Sequence, residues 1–243
     1  MLILFKLTYL LLKLIKLIKL IGYINYFIVT NYLKYILISF KKLTVFIFIT
    51  KMIFYSQLGE DLFIFRNFIN QKRDDGIFVE LGACDGVIYS NTKFFEDNLN
   101  FKGILIEPLP NIFNNLQANR RNSKCYNLAI SNKHHTVNFI VNNSQPACSG
   151  ITELMADTFM KSIHKNSNEI KVNACPLRCI LDSVDTKYID ILSIDVEGGE
   201  NLVLDTMNWD IEVYIICIEL DGLNSEKDEY CRNILKNKGF EFE

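Results

Sequence analysis

From Gly76 onward the sequence alternates short apolar runs with polar segments that carry a single apolar stripe, and this order restricts the fold most. GIFVEL (Gly76–Leu81), GILI (Gly103–Ile106), Lys124–Ile130, YIDILSI (Tyr188–Ile194) and IEVYIICIEL (Ile211–Leu220) read as buried strands. Thr136–Val141 alternates like a half-buried strand, and Glu169–Ala174 is a further candidate. Between them, Ser90–Leu99 aligns Phe94, Phe95 and Leu99, and Asn111–Arg120 aligns Ile112, Phe113 and Leu116, as helices do. Pro176–Val184, opened by proline, and Gly199–Met207 also read as helices. Ser225 with Asp228 three residues on resembles a capping box opening a helix to Lys236. Gly239 stops that helix and GFEFE begins a last strand. Asn142–Ser167 is weakly patterned and reads as an insertion. Strand–helix alternation predicts an α/β fold: a doubly wound, mostly parallel sheet with helices on both faces and right-handed crossovers.

Ligands of such sheets sit at the carboxyl ends of the strands, near the point where strand order reverses. Those positions are rich in acids. Glu80, Gly82, Asp85 and Gly86 follow the first strand, Glu107 and Pro108 the second, and Asp195 and Glu197 the Tyr188 strand. Ala129 and Ile130 close the third. Carboxylates crowded on one dry rim repel. A polar or cationic ligand is a good reason to gather them.

The corner FVELGACDGVIYSNT (Phe78–Thr92) does not fit a dinucleotide fingerprint. That pattern would need glycines at 82, 84 and 87, where the sequence has Gly82, Cys84 and Val87. A side chain at the middle position obstructs the close approach of backbone to a pyrophosphate. A phosphate-binding P-loop is also absent. Glu107 nevertheless lies where an acid accepts from ribose hydroxyls. A nucleoside ligand without a pyrophosphate satisfies both facts, and S-adenosylmethionine is the obvious one. Backbone N–H groups near Ser90 and Asn91 are expected to face its carboxylate.

The same residues carry a resemblance. YSQLGED (Tyr55–Asp61), FVELGACDGVIYSNT, FKGILIEPLP (Phe101–Pro110), NLAI (Asn127–Ile130) and IDILSIDVEGGE (Ile189–Glu200) follow in order between Met52 and Leu220. Together they resemble the FkbM family of methyltransferases, with the Rossmann-like class I fold that uses S-adenosylmethionine. The resemblance implies that Glu80, Gly82, Ala83, Asp85 and Gly86 form the cofactor turn. It implies Glu107 on the ribose, with Pro108 beside it, Ala129 and Ile130 by the adenine, Asn91 in the cofactor site and Asp195 close to the methyl donor. It also implies methyl transfer to a hydroxyl oxygen, with a sugar, glycan or similar small molecule as acceptor. Class I domains usually end in a further hairpin strand, and the sequence reads as lacking one after GFEFE.

A base must take the hydroxyl proton, and Asp195 and Glu197 are the candidates at the correct rim. Glu197 has a rival structural role, accepting from backbone N–H groups at the following helix start. Asp195 and Glu197 as divalent-metal ligands lack a visible third partner, so no metal is assigned. His134 and His135 read as a loop before a strand, and His164 falls in the insertion.

Composition narrows the alternatives. Residues 1–51 contain eight lysines and no Asp, Glu or Arg, which leaves 18 basic against 28 acidic residues beyond them. A body that acidic is a poor general binder of nucleic acid. The leader's longest lysine-free run, Leu20–Leu33, is 14 residues and too short for a simple membrane span. It reads either as a basic-faced segment on an anionic membrane or as upstream sequence without a role. The domain proper starts at Met52. Seven cysteines without a C-x-x-C pair read as reduced thiols of an intracellular protein, cytoplasmic or on the cytoplasmic side of a membrane. The rival of a different class is a membrane-tethered binding module that keeps the fold without catalysis.

Overall fold

The computed structural model describes residues 52–69, 75–155 and 166–243. Phe54–Glu243 forms one compact unit. The expected membrane-associated segment, residues 1–51, and His164 lie outside the described residues. Among the described residues no helix is long and apolar enough to cross a membrane.

A short helix, α1 (Glu60–Asn67), precedes the main sheet. The sheet is built from β1 (Ile77–Leu81), β2 (Lys102–Ile106), β3 (Lys124–Tyr126), β8 (Tyr188–Ile194) and β9 (Glu212–Ile218), in the order β3-β2-β1-β8-β9. Every pairing in it is parallel. The crossovers are α2 (Lys93–Leu99) and α3 (Pro110–Asn119) on one half, and α5 (Glu200–Thr206) on the other. α4 (Leu177–Ser183) leads into β8, and α6 (Ser225–Asn237) follows β9. The expected doubly wound α/β sheet is therefore present.

Central strands of such a sheet are covered on both faces, which is why they read as continuous apolar runs. Leu81, Ile106, Leu177, Leu181, Ile189, Leu192, Val203 and Leu204 form one buried core. A second apolar group runs under α1 and α2, where Phe54 stacks on Phe94 at 4.3 Å and Phe65 meets Phe94 edge-on at 4.9 Å. Such ring pairs add to plain area burial.

A smaller sheet stands beside the main one in the order β4-β7-β5-β6. It comprises β4 (Ala129–Ile130), β5 (His135–Asn142), β6 (Gly150–Ile151) and β7 (Ser167–Cys175). β5 and β7 pair antiparallel from His135↔Ala174 to Asn142↔Ser167. Leu109 packs into its core with Ala129, Phe139, Val172 and Ala174. The sheet thus leans on the segment that follows β2.

Three sequence expectations need correction. The run Lys124–Ile130 is two strands in different sheets. It breaks because the Asn127 side chain donates to the Glu107 and Pro108 carbonyls (2.8 and 2.9 Å), which turns the chain out of β3. The cap of α6 is Asn224 rather than Ser225: the Asn224 side chain accepts from the Lys227 N–H at 3.1 Å. GFEFE forms no strand, and β9 is the last strand of the main sheet among the described residues.

Candidate active site

Chain order runs outward from β1 through β2 to β3, then returns to β8 on the other flank of β1. Strand order therefore reverses between β1 and β8, and the crevice beyond their carboxyl ends is the expected ligand position. The corner after β1 turns through Gly82, at φ 74°, and Gly86, at φ 77°. Gly82 and Ala83 donate backbone N–H groups to the Ile106 carbonyl, both at 3.1 Å. The Cys84 N–H donates to Glu107 Oε2 at 3.0 Å. Asp85 accepts from the N–H groups of Val87 and Ile88 (2.9 and 2.8 Å) and so folds the far side of the corner. Two non-glycine residues at the crevice, Cys84 (φ 47°) and Glu197 (φ 56°), hold left-handed backbone. Such conformations cost free energy and concentrate at functional sites.

A cleft opens here, and Gly82, Cys84, Glu107, Pro108, Leu128, Ala129, Ile130 and Asp195 line it. Leu109, Phe139, Ile151 and the Pro146–Ser149 segment wall its other side. Glu107 is 4% exposed. Its second oxygen accepts the Leu109 N–H at 2.8 Å. Burial pushes its carboxyl up to about 7, although the N–H groups of Leu109 and Cys84 pull the other way. Each oxygen keeps a lone pair, so the group can accept further hydrogen bonds from a ligand hydroxyl.

Asp195, Glu197 and Glu219 hold carboxylate oxygens within 4.8 Å of one another. Burial, then the Glu219 charge, pushes the Asp195 carboxyl far above the usual range, and the two acids share a hydrogen bond. Burial and Glu219 likewise raise Glu197 to about 7, while the Cys148 thiol, hydrogen-bonded to it, opposes the rise. Acids this close cannot all ionise. The cluster can hold and pass protons, and its three carboxylates are also a possible ligand set for one divalent cation.

The structure brings six of the sequence-predicted cofactor residues to the cleft wall: Gly82, Glu107, Pro108, Ala129, Ile130 and Asp195. Glu80, Ala83, Asp85, Gly86 and Asn91 do not line it. Glu80 is 3% exposed and faces inward. It accepts from the Asn91 N–H (2.8 Å) and from the hydroxyls of Ser90 (3.0 Å) and Thr92 (2.6 Å), with Arg120 Nη1 at 3.6 Å. The Asn91 amide expected to face a ligand carboxylate is thus used by Glu80. The Asn91 side chain donates instead to Ser193 Oγ at 3.0 Å, at the end of β8. The role expected of Glu197 at the next helix start belongs to Glu200, which accepts from the N–H groups of Val196 (3.3 Å) and Gly198 (3.0 Å). His135 hydrogen-bonds Ser131 Oγ at 2.7 Å and, like His134, is no part of the cleft wall.

Sequence reading missed Glu219 and Arg120. Glu219 follows β9 directly, and its N–H donates to the Ile194 carbonyl at 2.9 Å. The strand reading ran on to Leu220, which placed Glu219 inside the strand and hid it from the strand-end rule that found Asp195. Arg120 gave no signal, since a cation after an amphipathic helix reads as solvated.

The comparison with protein families matches residues 80–242 to the Methyltransferase FkbM domain. No curated protein and no solved structure gives a significant match. Because that domain spans more than half of the chain and includes the end of β1, the glycine corner and the acid cluster, the protein belongs to the FkbM methyltransferase family.

Proposed function

We propose that the protein is an S-adenosylmethionine-dependent O-methyltransferase whose acceptor is a hydroxyl of a sugar, glycan or similar small molecule. The observation that carries this reading is the cleft at the β1–β8 reversal, with Glu107 on one wall and Asp195 on another. The donor set fits such a cofactor. Glu107 has hydrogen-bond capacity left for ribose hydroxyls, and Leu109, Leu128, Ile130 and Phe139 offer apolar surface for a flat base. Acids beside the cleft suit a cation.

The cofactor, when bound, supplies an electrophilic methyl group on a sulfonium. The protein's contribution is to orient the acceptor and to remove its proton. Glu197 lines a second pocket rather than the cleft itself, but its carboxylate lies within 4.8 Å of Asp195 on the cleft wall. It is the base in this reading, because with its carboxyl raised to about 7 it is partly ionised at neutral pH and strong enough to accept a hydroxyl proton as the oxygen bonds to carbon. Asp195, sharing a proton with Glu219, presents a neutral, hydrogen-bonding face to the cleft. The acidic body disfavours nucleic-acid acceptors.

Calorimetry with S-adenosylmethionine and its demethylated product tests the cofactor. Transfer of labelled methyl to a panel of free sugars and glycans tests the reaction. The expected results are micromolar-range affinity for both compounds and label in an ether product. A folded protein that ignores both compounds at millimolar concentration overturns the reading. Binding without transfer to any hydroxyl acceptor favours the non-catalytic module.

A further inference from the structure

Arg120 is the C-cap of α3, yet its side chain runs inward and the residue is 1% exposed. Its guanidinium donates to the Gly86 carbonyl (3.0 Å), Ser90 Oγ (3.1 Å) and Thr92 Oγ1 (3.0 Å), and its Nε pairs with Glu96. It also lies 5.1 Å over the Phe78 ring. One planar group therefore grips the glycine corner at Gly86 and the start of α2 at Ser90 and Thr92, beside the acid at the end of β1. Next to it, the exposed Asn119 side chain donates to the Asp85 carbonyl at 2.8 Å.

We propose that Arg120 is a positioning residue for the cofactor corner, fixing the loop from Gly82 to Thr92 in its ligand-receiving shape without touching the ligand. This rests on the cofactor reading above. Buried ion pairs contribute little net stability, and packed apolar groups often replace them without loss. Stability alone is therefore a weak reason for burying this cation. An apolar side chain cannot hold a carbonyl and two hydroxyls at once, whereas the five-donor fork of arginine can. Lysine keeps the charge and loses the fork.

The test uses the full chain with R120K and N119A. Cofactor affinity is measured by calorimetry, stability by thermal unfolding, and KM and kcat with a working acceptor. R120K is expected to raise the cofactor Kd and KM by roughly tenfold or more, as a charge-assisted set of hydrogen bonds is lost. Its kcat at saturating cofactor stays within about threefold, since misplacement is repaid by binding. N119A is expected to weaken cofactor binding less, about threefold, with Tm unchanged because its side chain is exposed. A lower Tm in R120K with unchanged cofactor Kd assigns Arg120 to stability alone and overturns the proposal. If R120K does not fold, unchanged affinity in N119A overturns it. If wild-type protein binds neither cofactor nor product, the cofactor reading fails separately. Amide exchange then decides, because R120K must loosen residues 82–92 while β8 stays protected.

Discussion

The main-chain oxygen of Asp195 lies 1.8 Å from where a Cβ on Gly82 would stand. The two residues directly follow β1 and β8, whose last residues pair Leu81↔Ile194, so the walls of the crevice meet through backbone there. Gly82 also holds φ 74°, a conformation that costs other residues free energy. Gly82→Ala must therefore push the strand ends apart and twist its own backbone. The expected loss is on the order of 3 kcal/mol in unfolding stability, with cofactor binding abolished. Thermal unfolding and calorimetry check this. An alanine variant with native Tm and affinity would show that the corner tolerates being opened.

If Glu107 holds the ribose, it couples cofactor binding to pH. Its raised carboxyl, near 7 in the free protein, must be ionised to accept from two ribose hydroxyls. Binding therefore releases a proton near neutrality, and affinity should tighten from pH 6 to pH 8. Glu107→Gln should weaken binding by about 10- to 100-fold, the worth of hydrogen bonds to a charged group, and remove the pH dependence. Calorimetry in two buffers of different ionisation enthalpy reads the released proton directly. A pH-independent wild-type affinity would remove Glu107 from the ribose.

Much of this was legible in the sequence because buried parallel strands leave continuous apolar runs. β8 and its following Asp195 could be placed to the residue, and Glu107 followed from the end of β2. The break at Asn127 was not legible, because it depends on a side chain reaching carbonyls that are 19 and 20 residues earlier. Glu80 looked like a rim acid for the same kind of reason. Its carboxylate turns inward because Ser90, Asn91 and Thr92, beyond the glycine corner, donate to it and Arg120, far along the chain, stands 3.6 Å away. Periodicity reports which face a residue occupies. It carries nothing about a partner distant in sequence.

Glu197 and Asp195 should behave differently as catalytic groups. If Glu197 takes the acceptor proton, Glu197→Gln lowers kcat by about 10²- to 10⁴-fold while cofactor affinity holds. Wild-type kcat then rises with pH and levels above the Glu197 value of about 7. Asp195 already carries the proton it shares with Glu219, so an amide copies its shape and hydrogen-bonding capacity. Asp195→Asn should thus retain more activity than Glu197→Gln. Steady-state kinetics at saturating cofactor compare them, and the reverse ranking would make Asp195 the base.

The same raised acids set the stability of the free protein against pH. A carboxyl whose folded value lies above its unfolded one binds more protons folded than unfolded in the interval between. Its contribution is complete below the unfolded value near 4.5 and is lost as pH rises through the folded value, about 7 for Glu107 and Glu197. Asp195 and Glu219 shift in the same direction. Stability of the ligand-free protein should therefore fall between pH 5 and pH 8, opposite to a protein whose acids are ion-paired. For Glu107, almost wholly buried, the part lost is on the order of 3 kcal/mol. Glu107→Gln cannot ionise, so its unfolding free energy should vary less over that interval and exceed wild type at pH 8. Denaturant unfolding at pH 5, 6.5 and 8 reads both slopes. A wild-type protein that gains stability toward pH 8 would mean that these carboxyls are solvated, and the burial that raises Glu107 and Asp195 on the cleft wall would not exist.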